Sequence, residues 1–289
     1  MLAEKLAPAH EAQTGHEAQL NANNFCEAYK DVIGLVKHGL AVAKARFGIE
    51  DSDLQKADTV IYSDQIRSYL EQAISNGNYP QILQDEHMRS FIIDMACAGT
   101  LGRLVELQLR KDRKSVSRIY KERMIEMNHG FAALADSELG KKLGIGRHDL
   151  KELIAATYGL HPSSPEVTLL ERGIAVEVGT KKCLQELAVS HGTSVRWATA
   201  AEDARNIDIV CEKGDKKLDI QVKSKDSISQ ATNEDKRASY SHFEAFGLNE
   251  YRVRHLSPAA DTAIGEHFEV RAVRYSELLD QMLSEFGKL

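Results

Sequence analysis

The residues best suited to chemistry lie on one short stretch, Leu218-Asp219-Ile220-Gln221-Val222-Lys223. Leu218, Ile220 and Val222 alternate with Asp219, Gln221 and Lys223, and a strand sends alternate residues to opposite faces. One face is thus apolar and fit to bury against helices, while the other gathers a carboxylate, an amide and an ammonium in a row. Upstream, Ile207 and Ile209 flank Asp208, and Lys213-Gly214-Asp215 reads as a hairpin turn. Such a hairpin would bring Asp208 beside Gln221 and Lys223 at one end of a sheet. Carboxylate, amide and backbone oxygens are hard ligands that suit Mg²⁺ or Mn²⁺. A lysine beside such a metal can orient or deprotonate a water, or neutralise charge on a phosphate. The set therefore suits metal-assisted phosphodiester hydrolysis. The plainer alternative is a solvated polar face, because Asp and Lys decorate most outer strand faces.

Asp208, a spacer of twelve residues and Gln221-Val222-Lys223 resemble the signature of the PD-(D/E)XK nuclease superfamily. That signature is an acid on one strand and acid-x-Lys on the next. Here glutamine replaces the second acid, as in the Gln-x-Lys variant of Mrr-type restriction enzymes and of some transposon end-cleaving subunits. The resemblance covers roughly Val167 to Leu256, about a third of the chain. It implies a restriction-endonuclease-like αβββαβ core with a central mixed sheet, within an α+β or α/β fold. It also implies a catalytic set of Asp208, Gln221, Lys223 and Glu177, the last on the first core helix in Gly173-Ile174-Ala175-Val176-Glu177. Glu177, Asp208 and Gln221 would be the ligands of Mg²⁺ (or Mn²⁺). Asn206-Ile207-Asp208 stands where the superfamily's name places Pro-Asp, and the neutral Gln221 would leave the metal fewer charges. Asp219, on the same strand face, would help compensate or would be a surface residue. Lys225 continues that face and would touch a phosphate or stay solvated.

The elements that would position these residues divide the chain into two halves. Residues 1–160 read as mainly helical, with apolar residues spaced at three and four in Phe25–Phe47 and Phe91–Met127. Asp51-Ser52-Asp53 and Asn76–Pro80 read as breaks, and residues 1–22 as a frayed or partly ordered start. His161-Pro162-Ser163-Ser164-Pro165 reads as a linker to a second domain over 165–289. There a helix is expected over Val167–Ser190, stopping at Gly192, then strands at Ser194–Thr199, Ile207–Cys211 and Leu218–Ser224. A helix over Asn233–Phe246, strands at Tyr251–Leu256 and Phe268–Val273, and a helix over Ser276–Phe286 complete the expectation.

Two further features suit nucleic acid. Residues 137–158, containing Gly140, Gly144, Ile145, Leu150 and Leu153, have helix-turn-helix spacing. A small residue lets two helices approach, a glycine permits the turn, and the apolar residues fill the space between. The second helix would offer Arg147, His148 and Lys151 to a major groove, whereas the plain alternative is a helical hairpin packed on its neighbours. The densest basic stretch is Arg110-Lys111-Asp112-Arg113-Lys114, followed by Arg118, Lys121 and Arg123. It would either contact phosphates or be a solvated face partnered by Glu106, Glu122 and Glu126.

Composition narrows the field. The chain has 289 residues, 43% hydrophobic and 28% charged, an ordinary globular mix that excludes a mostly disordered or collagen-like chain. With 43 acids against 37 Lys plus Arg, the net charge of −6 excludes a polybasic coat but not a local basic patch. No apolar run suits a bilayer, and Met1-Leu2-Ala3-Glu4-Lys5 lacks the order of a signal peptide, so a cytoplasmic protein without membrane contact is expected. The four cysteines form no CxxC pair and are expected to be free buried thiols. No HExxH pairs the eleven histidines, and His129, His148 and His242 read as surface or core residues. No P-loop, GxGxxG or GxSxG is present.

The expectation is a metal-dependent endonuclease acting on double-stranded DNA, of restriction type, with a homodimer supplying one active site per strand. Two alternatives belong to other classes. One is a nuclease fold that has lost cleavage and binds or regulates DNA. The other is an RNA-cleaving toxin, with a bound inhibitor protein.

Overall fold

Apolar residues recurring every three to four positions build the first part of the chain in the computed structural model. Phe25, Tyr29, Val32, Ile33, Val36 and Leu40 are buried and form one face of α1 (Ala22–Phe47). Asn21 caps that helix, its side chain accepting from the Asn24 N–H at 2.9 Å. Next come α2 (Thr59–Asn76), a 3₁₀ turn (Gln81–Gln84), α3 (Glu86–Asp112) and α4 (Arg118–Asp136). α1 packs against α2 and α3, and α3 against α4. The stretch Phe91–Met127 thus belongs to two helices. Both bury apolar residues at the same helical spacing, so periodicity by itself does not mark where one ends. Described are residues 21–48, 50, 59–112, 118–203, 207–214, 216–222, 254–256 and 264–269.

α5 (Glu138–Leu143) and α6 (Arg147–Tyr158) follow, joined by three residues. Ser137 caps α5, accepting from the Gly140 N–H at 2.9 Å. Gly144 ends it with φ 72°, a left-handed conformation that costs glycine little. The Asp149 carboxylate accepts from the Gly146 N–H at 2.9 Å and so caps the start of α6. Leu143, Ile145, Leu150, Leu153 and Ile154 are all buried, and α6 packs against α1 and α3.

α7 (Pro165–His191) begins with proline at its first position, where a missing N–H is harmless. Ser164, within the expected linker, caps it through its side-chain oxygen, 3.4 Å from the Val167 N–H. The chain divides into two units, Met1–Glu171 and Arg172–Leu289, and the division falls inside α7.

The second unit holds a four-stranded mixed sheet, which makes the protein α+β. β1 (Ser194–Trp197), β2 (Ile209–Lys213) and β3 (Lys216–Val222) pair antiparallel, and β4 (Arg254–Leu256) lies parallel to β3. Lys213 pairs with Lys216, leaving a two-residue loop that begins at Gly214 with φ 61°, the sign a tight hairpin turn requires. Ile207, Ile209, Cys211, Ile220 and Val222 are buried. Lys181 of α7 is buried as well, its ammonium 5.1 Å from the centre of the Trp197 ring. A short helix not expected from the sequence, α8 (Ala200–Asp203), joins β1 to β2.

The strand expected at Phe268–Val273 does not start at Phe268. That residue is fully buried with φ 64°, and its N–H donates to the Gly265 carbonyl at 3.2 Å, closing a turn. Residues 270–273 and the helices expected over Asn233–Phe246 and Ser276–Phe286 lie outside the described residues. Among the described residues no helix is long and apolar enough to cross a membrane.

Candidate functional site

Asp208 immediately precedes β2. Its N–H donates to the Ile220 carbonyl at 2.8 Å, while Ile209 also pairs with Ile220. Two residues thus address one, the arrangement of a β-bulge, which ends regular pairing and re-aims a side chain. The Asp208 carboxylate turns to β3 and accepts from the Val222 N–H at 2.6 Å. Val222 stands between Gln221 and Lys223, so Asp208 is held at the strand position that carries the Gln-x-Lys stretch. Gln221 is buried at the end of β3, and the register places it beside His255 of β4. Lys223 and Lys225 lie outside the described residues.

Asp219 shares the strand face of Gln221 but is only 4% exposed, and Lys217 stands 3.3 Å from its carboxylate. Burial pushes the Asp219 carboxyl upward and Lys217 pulls it down. Lys217 also donates to Glu202 of α8 at 2.6 Å. Arg196 of β1 grips that carboxylate at 2.8 and 3.0 Å and reaches Glu212 at 3.1 Å. Asp219 therefore belongs to an ion-pair network with Lys217, Glu202, Arg196 and Glu212. Sequence reasoning missed Arg196, Glu202 and Lys217. A signal was present: Thr199-Ala200-Ala201-Glu202 has capping-box spacing. In the structure the Thr199 N–H donates to Glu202 at 2.8 Å and the Glu202 N–H donates to the Thr199 hydroxyl at 3.3 Å.

Glu177 is half-buried in α7, in the same unit as the sheet. Among the described residues no group of three or more His, Cys, Asp or Glu side chains is arranged to hold a metal ion. The oxygen donors carried by this end of the hairpin are Asp208, just before β2, and Gln221 on β3. Oxygen donors of this kind fit a hard divalent cation. The four cysteines are free and buried.

In the first unit, α5, its turn and α6 carry Arg147, His148 and Lys151 on the first two turns of α6. His148 is exposed. Arg147 and Lys151 are directed to Glu171 of α7: Arg147 donates from Nε at 2.5 Å and Nη2 at 3.3 Å, and Lys151 stands 3.7 Å away. Glu171 was not anticipated from the sequence, since nothing local ties it to α6. In the basic stretch, Arg110 and Lys111 belong to the last turn of α3, and nothing further is described of their side chains; Arg113 and Lys114 lie outside the described residues. Glu106, expected as a surface partner for this stretch, is buried and accepts from Arg103 at 2.8 Å.

Comparisons with protein families, curated proteins and solved structures found no match for this chain.

Proposed function

We propose that the protein is a Mg²⁺-dependent endonuclease acting on duplex DNA, of the restriction-endonuclease-like kind. The observation that supports this reading is the hydrogen bond from the Val222 N–H to Asp208, which ties an acid to the strand residue that follows Gln221. The mixed strand order, three antiparallel strands and a parallel fourth, agrees with it. Glu177, Asp208 and the Gln221 side-chain oxygen would hold one or two Mg²⁺ ions (or Mn²⁺). Such an ion, when bound there, would supply Lewis-acid polarisation of the scissile phosphate and a lowered pKa for the attacking water. Lys223 positions that water or balances charge on the pentavalent phosphorane. The Val222 N–H keeps Asp208 from swinging away. The first unit reads the duplex through α5 and α6, and a homodimer supplies a second active site for the opposite strand.

The test is incubation with phage duplex DNA in Mg²⁺ and in EDTA, followed by gel analysis. Discrete fragments in Mg²⁺ alone are expected, and a Mg²⁺-dependent smear would keep the site but remove the restriction reading. Asp208→Asn, which retains an acceptor for Val222, and Lys223→Ala should each slow cleavage at least about a hundredfold while leaving DNA affinity nearly unchanged. Wild-type rates in both variants would refute the site. The neutral Gln221 favours one other reading, a nuclease fold that binds DNA without cutting it. Intact DNA with several divalent metals and methylated substrates, intact RNA, and retained binding would establish that alternative.

A further inference from the structure

Two cations of the helix that would face DNA converge on one buried carboxylate. Glu171 is 1% exposed, whereas Arg147 and Lys151 are 18% and 33% exposed. Arg147 and Lys151 stand four apart on α6 and so lie side by side on one helix face. Arg147 engages both oxygens of Glu171, and Lys151 shares one of them. The sequence counts two positive charges on this face, while the folded protein presents about one.

We propose that Glu171 is an electrostatic brake on duplex DNA binding by α5 and α6. The proposal rests on the DNA-binding reading of that helix pair. A phosphate approaching Arg147 and Lys151 meets the Glu171 charge directly behind them. Because Glu171 is buried, it neither swings into solvent nor gathers counterions, and salt screens it little. Its repulsion therefore acts in every bound pose and on every sequence. Removing the charge while keeping the side-chain shape returns both cations to the phosphates. Each effective phosphate contact steepens the dependence of log affinity on log salt by about 0.9, so one restored charge is worth roughly eightfold in affinity near 0.1 M salt.

The test uses the full chain and a short fluorescent duplex, titrated in EDTA by anisotropy across about 50 to 200 mM salt. Glu171→Gln keeps an acceptor for Arg147 and should bind roughly eightfold tighter near 0.1 M salt, with a salt slope steeper by about 0.9. Glu171→Met, similar in size and uncharged, should agree, which guards against one variant folding poorly; circular dichroism checks both. Arg147→Ala/Lys151→Ala should bind more weakly than wild type. If that double variant weakens binding but both Glu171 variants bind no tighter than wild type, the brake is refuted and the DNA-binding helices stand. If the double variant binds like wild type, or no form binds, the helix-turn-helix reading falls and the brake falls with it.

Discussion

Replacing Gly140 by alanine would place a methyl carbon 1.9 Å from the backbone oxygen of Leu134 and 3.0 Å from its carbonyl carbon. No rotamer change relieves a clash with backbone, so α5 or the end of α4 must move. That movement disturbs the Leu134 carbonyl, which accepts from the Ser137 hydroxyl at 2.9 Å, and the Ser137 cap on Gly140, also 2.9 Å. Overpacking of this kind costs about 1–3 kcal/mol, and weakening the cap about 1 kcal/mol. Alanine's better helix propensity returns at most about 1 kcal/mol. The expected net loss is about 1–3 kcal/mol, or roughly 2–12 °C in Tm for a unit of this size. Gly34 supplies the control. It lies in the interior of α1, is exposed, and a methyl group there would meet nothing within 4 Å. Gly34→Ala should therefore stabilise by about 0.5–1 kcal/mol. Calorimetry and guanidinium unfolding of the three proteins side by side read the difference. If Gly140→Ala proves as stable as Gly34→Ala, α5 does not approach Leu134 as described, and the tight junction between α4 and α5 is wrong.

Two predictions concern a paired carboxylate and the buried thiols. The Arg196 guanidinium holds the Glu202 carboxyl well below the usual carboxylate range, and so Glu202 contributes stability above its ordinary value of 4.5 and loses it as pH falls below that. Glu202→Gln should lower the urea midpoint at neutral pH and shrink its drop on acidification; an unchanged acid-side profile would contradict the Arg196–Glu202 pairing. Burial pushes the Cys26, Cys183 and Cys211 thiols up to about 12. Ellman's reagent near pH ~8 should leave these thiols intact in the native protein and modify them after denaturation; rapid native reaction at Cys211 would show that the inner face of β2 is open.

Much of the architecture was legible because its causes are local. The alternation of Leu218, Ile220 and Val222 with polar residues marked a strand, and Lys213-Gly214-Asp215 marked the turn before it. Pro165 and Gly192 bracket a helix that runs from Pro165 to His191. Prolines and serines at 161–165 suggested a linker, yet Ser164 and Pro165 are the cap and first residue of α7. Phe268 misled in the opposite way. An aromatic residue in an apolar run suits a strand, but burial against α7 holds it in a turn, with Lys182 5.2 Å from the ring centre.

By itself, the sequence determined which segments are amphipathic, where α7 stops, and which residue types stand on the Gln-x-Lys strand. These depend on neighbours within a few positions, and periodicity or capping records them directly. Tertiary structure alone decided what those residues touch. Asp208 meets Val222 fourteen residues away through a bulge that alternation does not encode. Asp219 joins Lys217 and, through it, Glu202 and Arg196, and Arg147 reaches Glu171 twenty-four residues on. The charge a residue presents depends on the partner that packing places against it, and packing couples positions that no local pattern connects.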